Sequence, residues 1–400
     1  MRQNAQNESS VSSRIIKIGI LAIALGMVMM LIAMGTGMGL QKAIRDKTIS
    51  FSSHLKIAPF ENNHSALSVR PINTSDVAIP KEISSEIDAL YPVINMGGLL
   101  KSKQEFEGVI FKGVDAQYPK EKIEPFLLAG RFPNLDSLMS NEILLSKTLS
   151  DRLLLSVGDR VTAYFQNQNN PALPRTRFFT VAGIYETGFP DFDNTYLWGD
   201  LQHLQRIKSW EKHQVGGYEV FLKQEDQLTA IAEQIYSQLP SDIDVQTIEE
   251  LYRSVFDWIT LFDFNIFIII FIMIVVGTLN MATALLVLIL ERSRMVGILK
   301  SLGSTSGSIQ KIFLWNAMYI IAKGMMIGNA IGLCLLFVQK NTGWIQLDPA
   351  TYFVREVPVY MGIIPILLLN IFVLVSCTFL LWFPSRVIGK IDPVKALRFR

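Results

Sequence analysis

The sequence predicts an α-helical membrane protein with four transmembrane helices and a large α+β domain inserted between helices 1 and 2. Half of the 400 residues are hydrophobic, and they concentrate in four apolar runs. Each run exceeds the roughly 20 apolar residues that cross a 30 Å hydrocarbon core. A long polar block, residues 41–263, separates the first run from the second. This block is long enough to bury a hydrophobic core of its own.

The apolar runs divide the chain into segments. Residues 1–40 form an N-terminal arm and helix 1, and residues 41–263 form the polar domain. The remaining predicted segments are helix 2 (264–290), a short helix and loop (291–311), helix 3 (312–338), a second polar loop (339–360), helix 4 (361–383) and a tail (384–400). The first run is longer than the apolar core of a signal peptide and lacks a convincing small-residue cleavage site, so we expect an uncleaved anchor.

Lysine and arginine residues near the ends of the apolar runs predict the orientation in the membrane. They are in excess in the N-terminal arm, in loop 291–311 and in the tail, whereas the cations of loop 339–360 are balanced by acidic residues. Cytoplasmic loops carry the excess of Lys and Arg. We therefore expect both termini and loop 291–311 inside the cell, and residues 41–263 and 339–360 outside.

The outer domain has both strand and helix patterns. Runs rich in β-branched and aromatic residues predict strands over 109–114, 161–165, 177–185 and 218–222. Helical spacing of apolar residues predicts helices over 142–155 and 226–239. Four scattered histidines of this block are expected on its surface: His54, His64, His203 and His213.

One connection in the outer domain, residues 166–176, is a candidate binding element. It is polar, contains two prolines and is too long for a tight hairpin. It is either a surface loop without a function or a protruding arm that binds a soluble partner, since binding residues often lie on loops of a rigid scaffold. The candidate contact residues are Asn167, Gln168, Asn169, Asn170, Pro171, Ala172, Leu173, Pro174 and Arg175.

The apolar runs carry two further patterns. Gly324, Gly328 and Gly332 are four residues apart and form a flat stripe on which another helix can pack closely. Lys323 lies beside this stripe, where it either snorkels or faces a polar interior near Asn280. Flexible methionines in helix 1 and aromatic residues in helix 2 suit acyl chains of varied shape, although ordinary lipid-facing residues fit equally well. The candidate lipid-cavity residues are Met34, Met38, Phe264 and Phe267.

The short segment 291–303 predicts an amphipathic helix. Met295, Ile298, Leu299 and Leu302 recur at helical spacing, and basic residues occupy the polar side. Gly303 suits a C-cap, and residues 304–308 offer an N-cap for the next helix. Such a helix either rests on lipid headgroups or inserts into a cleft of a soluble partner.

No motif indicates chemistry performed by the chain itself. It contains no phosphate-binding loop, no nucleophile elbow, no HExxH and no histidines at ligand spacing, so we predict no catalytic residue, no metal and no bound cofactor. If ATP is used, another polypeptide binds it. The net charge of +2 gives no basic surface for nucleic acid, and both cysteines lie inside apolar runs, where they are expected to be small buried residues.

Several of these motifs resemble a known family. The segment from Glu291 to Gly303, Glu-Arg-Ser-Arg-Met-Val-Gly-Ile-Leu-Lys-Ser-Leu-Gly, is similar to the E-R-x-R-E-I-G-I-L-K-A-L-G signature of FtsX/MacB-type ABC permeases, with Met295 in place of an acid. The tail from Pro384 to Arg398 resembles the family's ending, and residues 141–161 and 179–184 resemble its extracytoplasmic domain. The stretch 352–359, Tyr-Phe-Val-Arg-Glu-Val-Pro-Val, resembles the lipoprotein-releasing LolC/LolE type.

The resemblance implies a permease in the inner membrane of a Gram-negative cell, with the polar block as its periplasmic domain. The implied partners are a dimer of a separate ATPase, which holds ATP and Mg, a second permease subunit in a homo- or heterodimer, a periplasmic lipoprotein chaperone and a lipoprotein cargo. The segment 291–303 corresponds to the coupling helix, with Glu291, Arg292, Arg294, Met295, Ile298, Leu299, Leu302 and Gly303 as candidate ATPase contacts. Residues 166–175 correspond to a hook that binds the chaperone, and the cargo leaves from a cavity near helices 1 and 2.

Three functions remain open on the sequence. The first is a permease that extracts lipoproteins and passes them to a chaperone. The second is a MacB-like permease for efflux or mechanotransmission. The third is an FtsX-like transmembrane regulator that activates a cell-wall hydrolase and transports nothing. The match at 352–359 and the proline-bearing connection favour the first.

Overall fold

A computed structural model describes residues 2–63, 65–77, 79–80, 82–136, 139–167, 173–224 and 227–390. The chain divides into two compact units. A helical unit comprises Met1–Lys42, Trp258–Gln346 and Glu356–Arg400, and an α+β unit comprises Ala43–Asp257 and Leu347–Arg355.

The helices of the described chain follow one another in this order: α1 (Arg2–Ser52), α2 (Lys147–Leu153), α3 (Pro190–Asp193), α4 (Leu201–Lys208), α5 (Leu228–Tyr236), α6 (Ile248–Leu251), α7 (Arg253–Glu291), α8 (Ser293–Ser301), α9 (Ser306–Thr342), α10 (Pro349–Tyr352) and α11 (Ile363–Ser385). The strands are β1 (Leu55–Pro59), β2 (Ile72–Asn73), β3 (Ile87–Lys101), β4 (Phe106–Val114), β5 (Leu127–Gly130), β6 (Glu142–Ser146), β7 (Arg160–Phe165), β8 (Arg175–Tyr185), β9 (Tyr196–Asp200), β10 (Gln214–Val215), β11 (Gly217–Leu222) and β12 (Ile243–Thr247).

Four helices of the described chain are long and apolar enough to cross a membrane: α1, α7, α9 and α11. Each covers one of the four apolar runs of the sequence. Helices α1 and α7 are longer than their runs, because α1 continues to Ser52 and α7 already begins at Arg253. Their polar ends belong to the α+β unit.

The glycine stripe of α9 faces α1 inside the helical unit. Gly324, Gly328 and Gly332 are all buried. A β-carbon at Gly328 would lie 2.6 Å from the carbonyl oxygen of Ala24 and 2.6 Å from the β-carbon of Met27. Only a residue without a side chain allows the two helices to approach this closely.

A pair of amides joins α9 to α11. Asn329 donates from Nδ2 to Oδ1 of Asn370 at 2.6 Å, and Asn370 donates back at 3.1 Å. Each side chain also donates to a carbonyl one turn earlier in its own helix, Met325 and Ile366 respectively. Because both amides are satisfied, they fix the relative position of the two helices within an otherwise apolar contact.

The α+β unit is built on a sheet in the order β12-β1-β11-β3-β4-β9-β6-β8-β5. Strand β7 pairs with both β3 and β8, so six strands (β3, β4, β9, β6, β8 and β7) form a closed circuit of hydrogen-bonded pairs. A buried cluster that includes Phe111, Phe165 and Phe179 fills this circuit. The predicted strands over 109–114, 161–165, 177–185 and 218–222 and the helix within 226–239 are confirmed.

The helix predicted over 142–155 is wrong for its first part. Residues 142–146 form β6, which pairs with β8 on one side and β9 on the other, and α2 begins only at Lys147. Ile143, Leu144 and Leu145 are all fully buried, so this strand is covered on both faces. A short continuous apolar run fits a buried strand or a buried helix equally well, and periodicity alone does not separate them.

The expected surface position is also wrong for two of the four histidines. His54 and His203 are buried, whereas His213 is exposed; His64 lies outside the described residues. His203 lies on α4, where Nε2 is 3.0 Å from the carbonyl oxygen of Ser140 and the ring packs edge-on against Phe179. Its Nδ1 has no hydrogen-bond partner among the described residues. Burial lowers the pKa of His203, because a second N–H would have no acceptor.

The buried His203 predicts a pH-dependent stability. The unfolded chain binds a proton at this imidazole below about pH 6.5, the ordinary pKa of histidine, whereas the folded chain binds it only at lower pH. The unfolded state therefore holds more protons as the pH falls through this window, and unfolding becomes easier. We expect the thermal unfolding midpoint of the full chain in detergent to fall between pH 7 and pH 5, and to fall less in His203→Gln. An equal drop in both proteins would remove the contribution of His203.

The close contact at Gly328 predicts a cost for a single methyl group. Gly328→Ala forces α9 and α1 apart and should lower the free energy of unfolding by about 1–3 kcal/mol. Gly277 on α7 is the matched control, because a β-carbon there meets no atom within 4 Å. Thermal unfolding of both variants in detergent measures the difference. If Gly277→Ala and Gly328→Ala unfold at the same temperature, the helices are not held by this stripe.

Candidate functional site

The amphipathic segment 291–303 folds as α8 with defined ends. Arg292 precedes the first turn, and Gly303 ends the helix with a φ of +89°. The N–H of Gly303 donates to the carbonyl of Lys300, and the N–H of Ser304 donates to that of Leu299. This pair of bonds is the Schellman motif, so the predicted C-cap at Gly303 is confirmed. Thr305 then caps α9 by accepting a hydrogen bond from the N–H of Ser308.

The predicted apolar stripe of α8 is partly exposed and partly buried. Leu302 is 77 % exposed, and Met295 and Ile298 are also exposed. Leu299 is instead half-buried and packs against the core of the helical unit, beside the fully buried Val296. The surface that α8 offers to a partner therefore consists of Met295, Ile298 and Leu302.

Charged residues complete this segment. Glu291, Arg292 and Arg294 are exposed. Lys300 donates from Nζ to the carbonyl oxygens of Ile388 at 2.9 Å and Gly389 at 3.2 Å. Lys300 therefore holds α8 against the chain that follows α11, and the exposed side carries both apolar and basic groups.

The candidate arm connects two paired strands. Strands β7 and β8 are antiparallel, and Phe165 lies opposite Arg175, so the connection closes a hairpin. Gln168, Asn169, Asn170, Pro171 and Ala172 lie outside the described residues. Leu173 is exposed, and Arg175 at the base of the arm donates from Nη1 to the carbonyl oxygen of Arg206 at 2.8 Å. The described part of the arm also includes Asn167 and Pro174. At the β8 end the arm is held by the pairing of β8 with β7 and by the bond from Arg175 to α4.

The four candidate lipid-cavity residues do not share one environment. Met34 is buried in the core of the helical unit, and Met38 packs against that core. Phe264 and Phe267 are each 62 % exposed on α7. Phe267 stacks on Phe271, one turn further along the same helix. The structure thus places the methionines in the packed interior and the phenylalanines on an open helix face.

The C-terminal end of α1 is held in the core of the α+β unit. Phe51 is 1 % exposed, and its ring packs among four others, those of Phe126, Tyr185, Phe192 and Trp198. The last carbonyl groups of a helix have no partner within the helix. Here Lys112 of β4 donates from Nζ to the carbonyl oxygen of Phe51 at 2.8 Å.

Lys112 forms a buried ion pair at the same place. Its Nζ lies 2.6 Å from Oε1 of Glu219 on β11 and 4.2 Å from the ring of Trp198. Tyr118 donates its hydroxyl to the other carboxylate oxygen at 2.6 Å. Burial lowers the pKa of Lys112, and the carboxylate of Glu219 opposes that shift. Burial and the same carboxylate raise the pKa of Tyr118, which stays protonated and donates. We call these four residues, Phe51, Lys112, Tyr118 and Glu219, the helix anchor.

The loop before α11 is bound to the same unit. Phe353 stacks on Phe189 with ring centroids 4.5 Å apart and planes 16° apart, and its carbonyl accepts from Nζ of Lys47 at 2.6 Å. Arg355 pairs with Glu186. Phe353 has a φ of +59°, which a bulky residue adopts only where its surroundings hold it there. This loop contains part of the stretch 352–359 that the sequence singled out.

Two family models together cover most of the chain. Residues 18–250 match a model described as the MacB-like periplasmic core domain. Residues 267–393 match the FtsX-like permease C-terminal model. The chain belongs to the FtsX-like ABC permeases with a MacB-like periplasmic core domain. The resemblance read from the sequence is confirmed.

Curated relatives extend over nearly the whole chain. It is similar to the lipoprotein-releasing system transmembrane protein LolC of Neisseria meningitidis serogroup B, with 24 % identity over 99 % of this chain and 96 % of the relative. It is also similar to the corresponding LolE of Haemophilus influenzae, with 20 % identity over 99 % and 97 %. Among solved structures it is similar to the periplasmic region of MacB from Actinobacillus actinomycetemcomitans, at 14 % identity, with a TM-score of 0.34 over 50 % of this chain and 91 % of that one.

Sequence reasoning missed the helix anchor. Lys112 stands in a strand of otherwise buried residues, Val109-Ile-Phe-Lys-Gly-Val114, and a lone cation in such a strand was the available signal. Its partner Glu219 lies in a similar run, in β11. Two opposite charges in two buried strands point to an ion pair, but the sequence does not place these strands near the end of α1. In the described part of the chain, no group of three His, Cys, Asp or Glu side chains is placed to hold a metal ion.

The helix anchor predicts a large effect of one substitution. Lys112→Met removes the cation that lies 2.6 Å from the buried carboxylate of Glu219 and leaves only the more distant Lys56 of β1 opposite it, which should lower the free energy of unfolding by about 3–5 kcal/mol. The exposed pair Arg131–Glu142 is the control, and Arg131→Met should cost less than about 1 kcal/mol. Urea unfolding of the full chain in detergent, followed by tryptophan fluorescence, measures both. The double variant Lys112→Met/Glu219→Leu should recover most of the loss. Equal stabilities of the two single variants would refute the anchor.

Proposed function

We propose that this chain is the permease subunit of an ABC transporter that extracts lipoproteins from the outer leaflet of the inner membrane and passes them to a periplasmic chaperone. The observation that carries the proposal is the similarity to relatives named LolC and LolE, the lipoprotein-releasing transmembrane proteins, over 99 % of the chain. A separate ATPase subunit drives the process, and a second permease subunit completes the membrane part.

The orientation follows from the charge pattern. Residues 291–311 and both termini face the cytoplasm of a Gram-negative cell, and the α+β unit, inserted between the first and second spans, faces the periplasm. The exposed face of α8, Met295, Ile298 and Leu302, then lies on the side where ATP is available. An exposed apolar face on a short capped helix is suited to insertion into a groove of a soluble partner. We assign this face to the ATPase.

The helix anchor supports a mechanical role for α1. Removing an acyl chain from a bilayer costs about 0.8 kcal/mol for each methylene group, so release requires external work. In this proposal α1 conveys that work, because its last turns are fixed to the sheet by Phe51 and Lys112.

Two further surfaces are assigned to the chaperone and to the cargo. The hairpin of β7 and β8 presents the chaperone-binding arm, Asn167–Arg175. The exposed Phe264 and Phe267 of α7 contact acyl chains.

A MacB-like permease that transmits motion or exports another cargo is the second candidate, because residues 18–250 match the MacB-like core domain. The two candidates share the ATPase and the coupling helix and differ in cargo. An acylated lipoprotein that is transferred to a soluble chaperone supports the first. Complete retention of the lipoprotein, with normal ATP hydrolysis, supports the second.

The docking face of α8 predicts an uncoupled variant. Leu302→Asp puts a charge on the face assigned to the ATPase and should reduce ATP-driven release at least tenfold, the effect of losing about 1.4 kcal/mol of coupling. Leu302→Met keeps the face apolar and should release normally. The assay uses proteoliposomes with the ATPase, the second permease and an acylated lipoprotein, and measures lipoprotein bound to the chaperone. Normal release by Leu302→Asp would remove this residue from coupling; no release by the unmodified complex would contradict the proposed function.

A further inference from the structure

The helical unit contains a cavity of about 480 Å³ beside α8. Its wall comes from the first turns of the apolar part of α1, the end of α7, the start of α8 and one face of α9. This volume lies within the range of small-ligand pockets, about 300–1,000 Å³. None of the residues assigned to the arm or to the candidate lipid cavity lines it.

The charges in this cavity are all of one sign. Arg292 and Lys323 line it, together with the polar side chains of Asn316 and Tyr319, and no carboxylate does. In the described part of the chain, neither cation forms an ion pair with an Asp or Glu. The sequence left two settings for Lys323, snorkelling or a polar interior near Asn280. Its polar neighbours in the cavity are Asn316 and Tyr319, and Asn280 is exposed.

The ammonium of Lys323 is directed back toward the start of α9. Lys323 lies 11 residues after Ile312, which also lines the cavity, or about 16 Å further along α9 at 1.5 Å per residue. Its ammonium does not extend onward but turns back over the ring of Tyr319, 4.4 Å from the centroid. Long cationic side chains turn in this way toward the polar edge of a membrane. The ammonium thus lies over the preceding turn of α9, on the side of Lys323 that faces the start of this helix.

The rest of the wall is apolar. Ile16 and Ile20 of α1 and Phe313 of α9 belong to it. Two cations without acidic partners and an apolar wall in the same cavity match a molecule with an anionic head and hydrocarbon chains. Basic pockets between transmembrane helices on the cytoplasmic side bind anionic lipid headgroups.

We propose that this cavity binds an anionic phospholipid of the cytoplasmic leaflet, with its phosphate between Arg292 and Lys323 and its acyl chains along Ile16, Ile20 and Phe313. Met295 belongs both to the cavity wall and to the exposed face of α8. A bound lipid would therefore contact one residue of the face that we assign to the ATPase. The assignment to the cytoplasmic leaflet and the regulatory consequence, lipid-dependent coupling, rest on the proposed function and its orientation, whereas the binding itself does not.

The test is native mass spectrometry of the full chain in detergent, titrated with dioleoylphosphatidylglycerol or dioleoylphosphatidylcholine. We expect tight binding of the anionic lipid only, and binding about five- to tenfold weaker in Lys323→Gln, since one cation near a membrane surface contributes about 1 kcal/mol, or about fivefold. Lys311→Gln is the matched control, because Lys311 is an exposed cation of α9 outside the cavity wall. Its binding should equal that of the unmodified chain.

A second variant separates the site from a folding defect. Ile20→Trp fills the apolar part and keeps both cations, so it should also weaken lipid binding while the chain stays monodisperse. Inorganic phosphate at the same concentration should not displace the lipid; displacement would show a site for the phosphate alone and overturn the proposal. The proposal would also be overturned if Lys323→Gln, Lys311→Gln and the unmodified chain bind the lipid equally well. It would likewise be overturned if the second permease subunit closes the cavity in the complex and no lipid binds there.

The same proteins in the release assay keep the two proposals distinct. Anionic lipid binding that depends on Lys323, in a complex that releases no lipoprotein, contradicts the proposed function and leaves the lipid site standing. Release in phosphatidylcholine alone, at the rate seen with phosphatidylglycerol, removes the regulatory consequence.

Discussion

The buried ion pair between Lys112 and Glu219 is the constraint on which the α+β unit depends. An ammonium group in a protein interior must use its hydrogen-bond donors, because an unpaired one costs several kcal/mol. Nζ of Lys112 meets Glu219, the carbonyl of Phe51 and, at 3.5 Å, the hydroxyl of Tyr118. Two of these partners are on the sheet side and one is the end of α1. One charge is therefore satisfied partly by a carbonyl at the end of the helix, which ties that end to the sheet. An apolar residue in place of Lys112 could fill the same volume without that directional requirement.

The loop 347–355 adds a second, chemically different attachment to the same unit. Aromatic stacking of Phe353 on Phe189, a hydrogen bond from Lys47 and the pair Arg355–Glu186 act together. The exposed ion pair alone contributes little. The positive φ of Phe353 is a cost that the stacking and the hydrogen bond must offset. Since Lys47 lies on α1, both attachments involve the last turns of that helix.

The sequence was sufficient where a pattern has one structural solution. Long apolar runs have to be spanning helices, because lipid offers no partner for a free backbone group. Gly303 after an amphipathic turn has to be a helix end, and three glycines four apart have to face a neighbour at close range. The run Ile143-Leu144-Leu145 has two solutions, and the strand was chosen by pairing with β8 and β9, which are distant in sequence.

The unpredicted features share this non-local origin. Lys112 and Glu219 are 107 positions apart, and His203 is buried because Ser140 and Phe179 come to it from other elements. The apolar stripe of α8 was predicted only in part. Leu299 fits the same helical spacing as Met295 and Ile298, but it packs against the core, whereas the other two are exposed. Only the packing of α8 on the helical unit separates the buried from the exposed positions. Helical spacing thus identified the apolar face of α8, but it did not show which residues of that face stay exposed and accessible to a partner.

In the proposed function α1 transmits the work that removes an acyl chain from the bilayer, so the contacts at its end must withstand that work. One acyl chain with more than about a dozen methylene groups requires roughly 10 kcal/mol to leave a bilayer. No single contact described for α1 withstands that alone, since even a truncated buried ion pair costs only about 3–5 kcal/mol. The end of α1 instead combines the five-ring cluster around Phe51, the ion pair of Lys112 and the bond from Lys47 to the docked loop. In the proposed function these contacts act in parallel on one short stretch of helix, so that the load on α1 is shared among them.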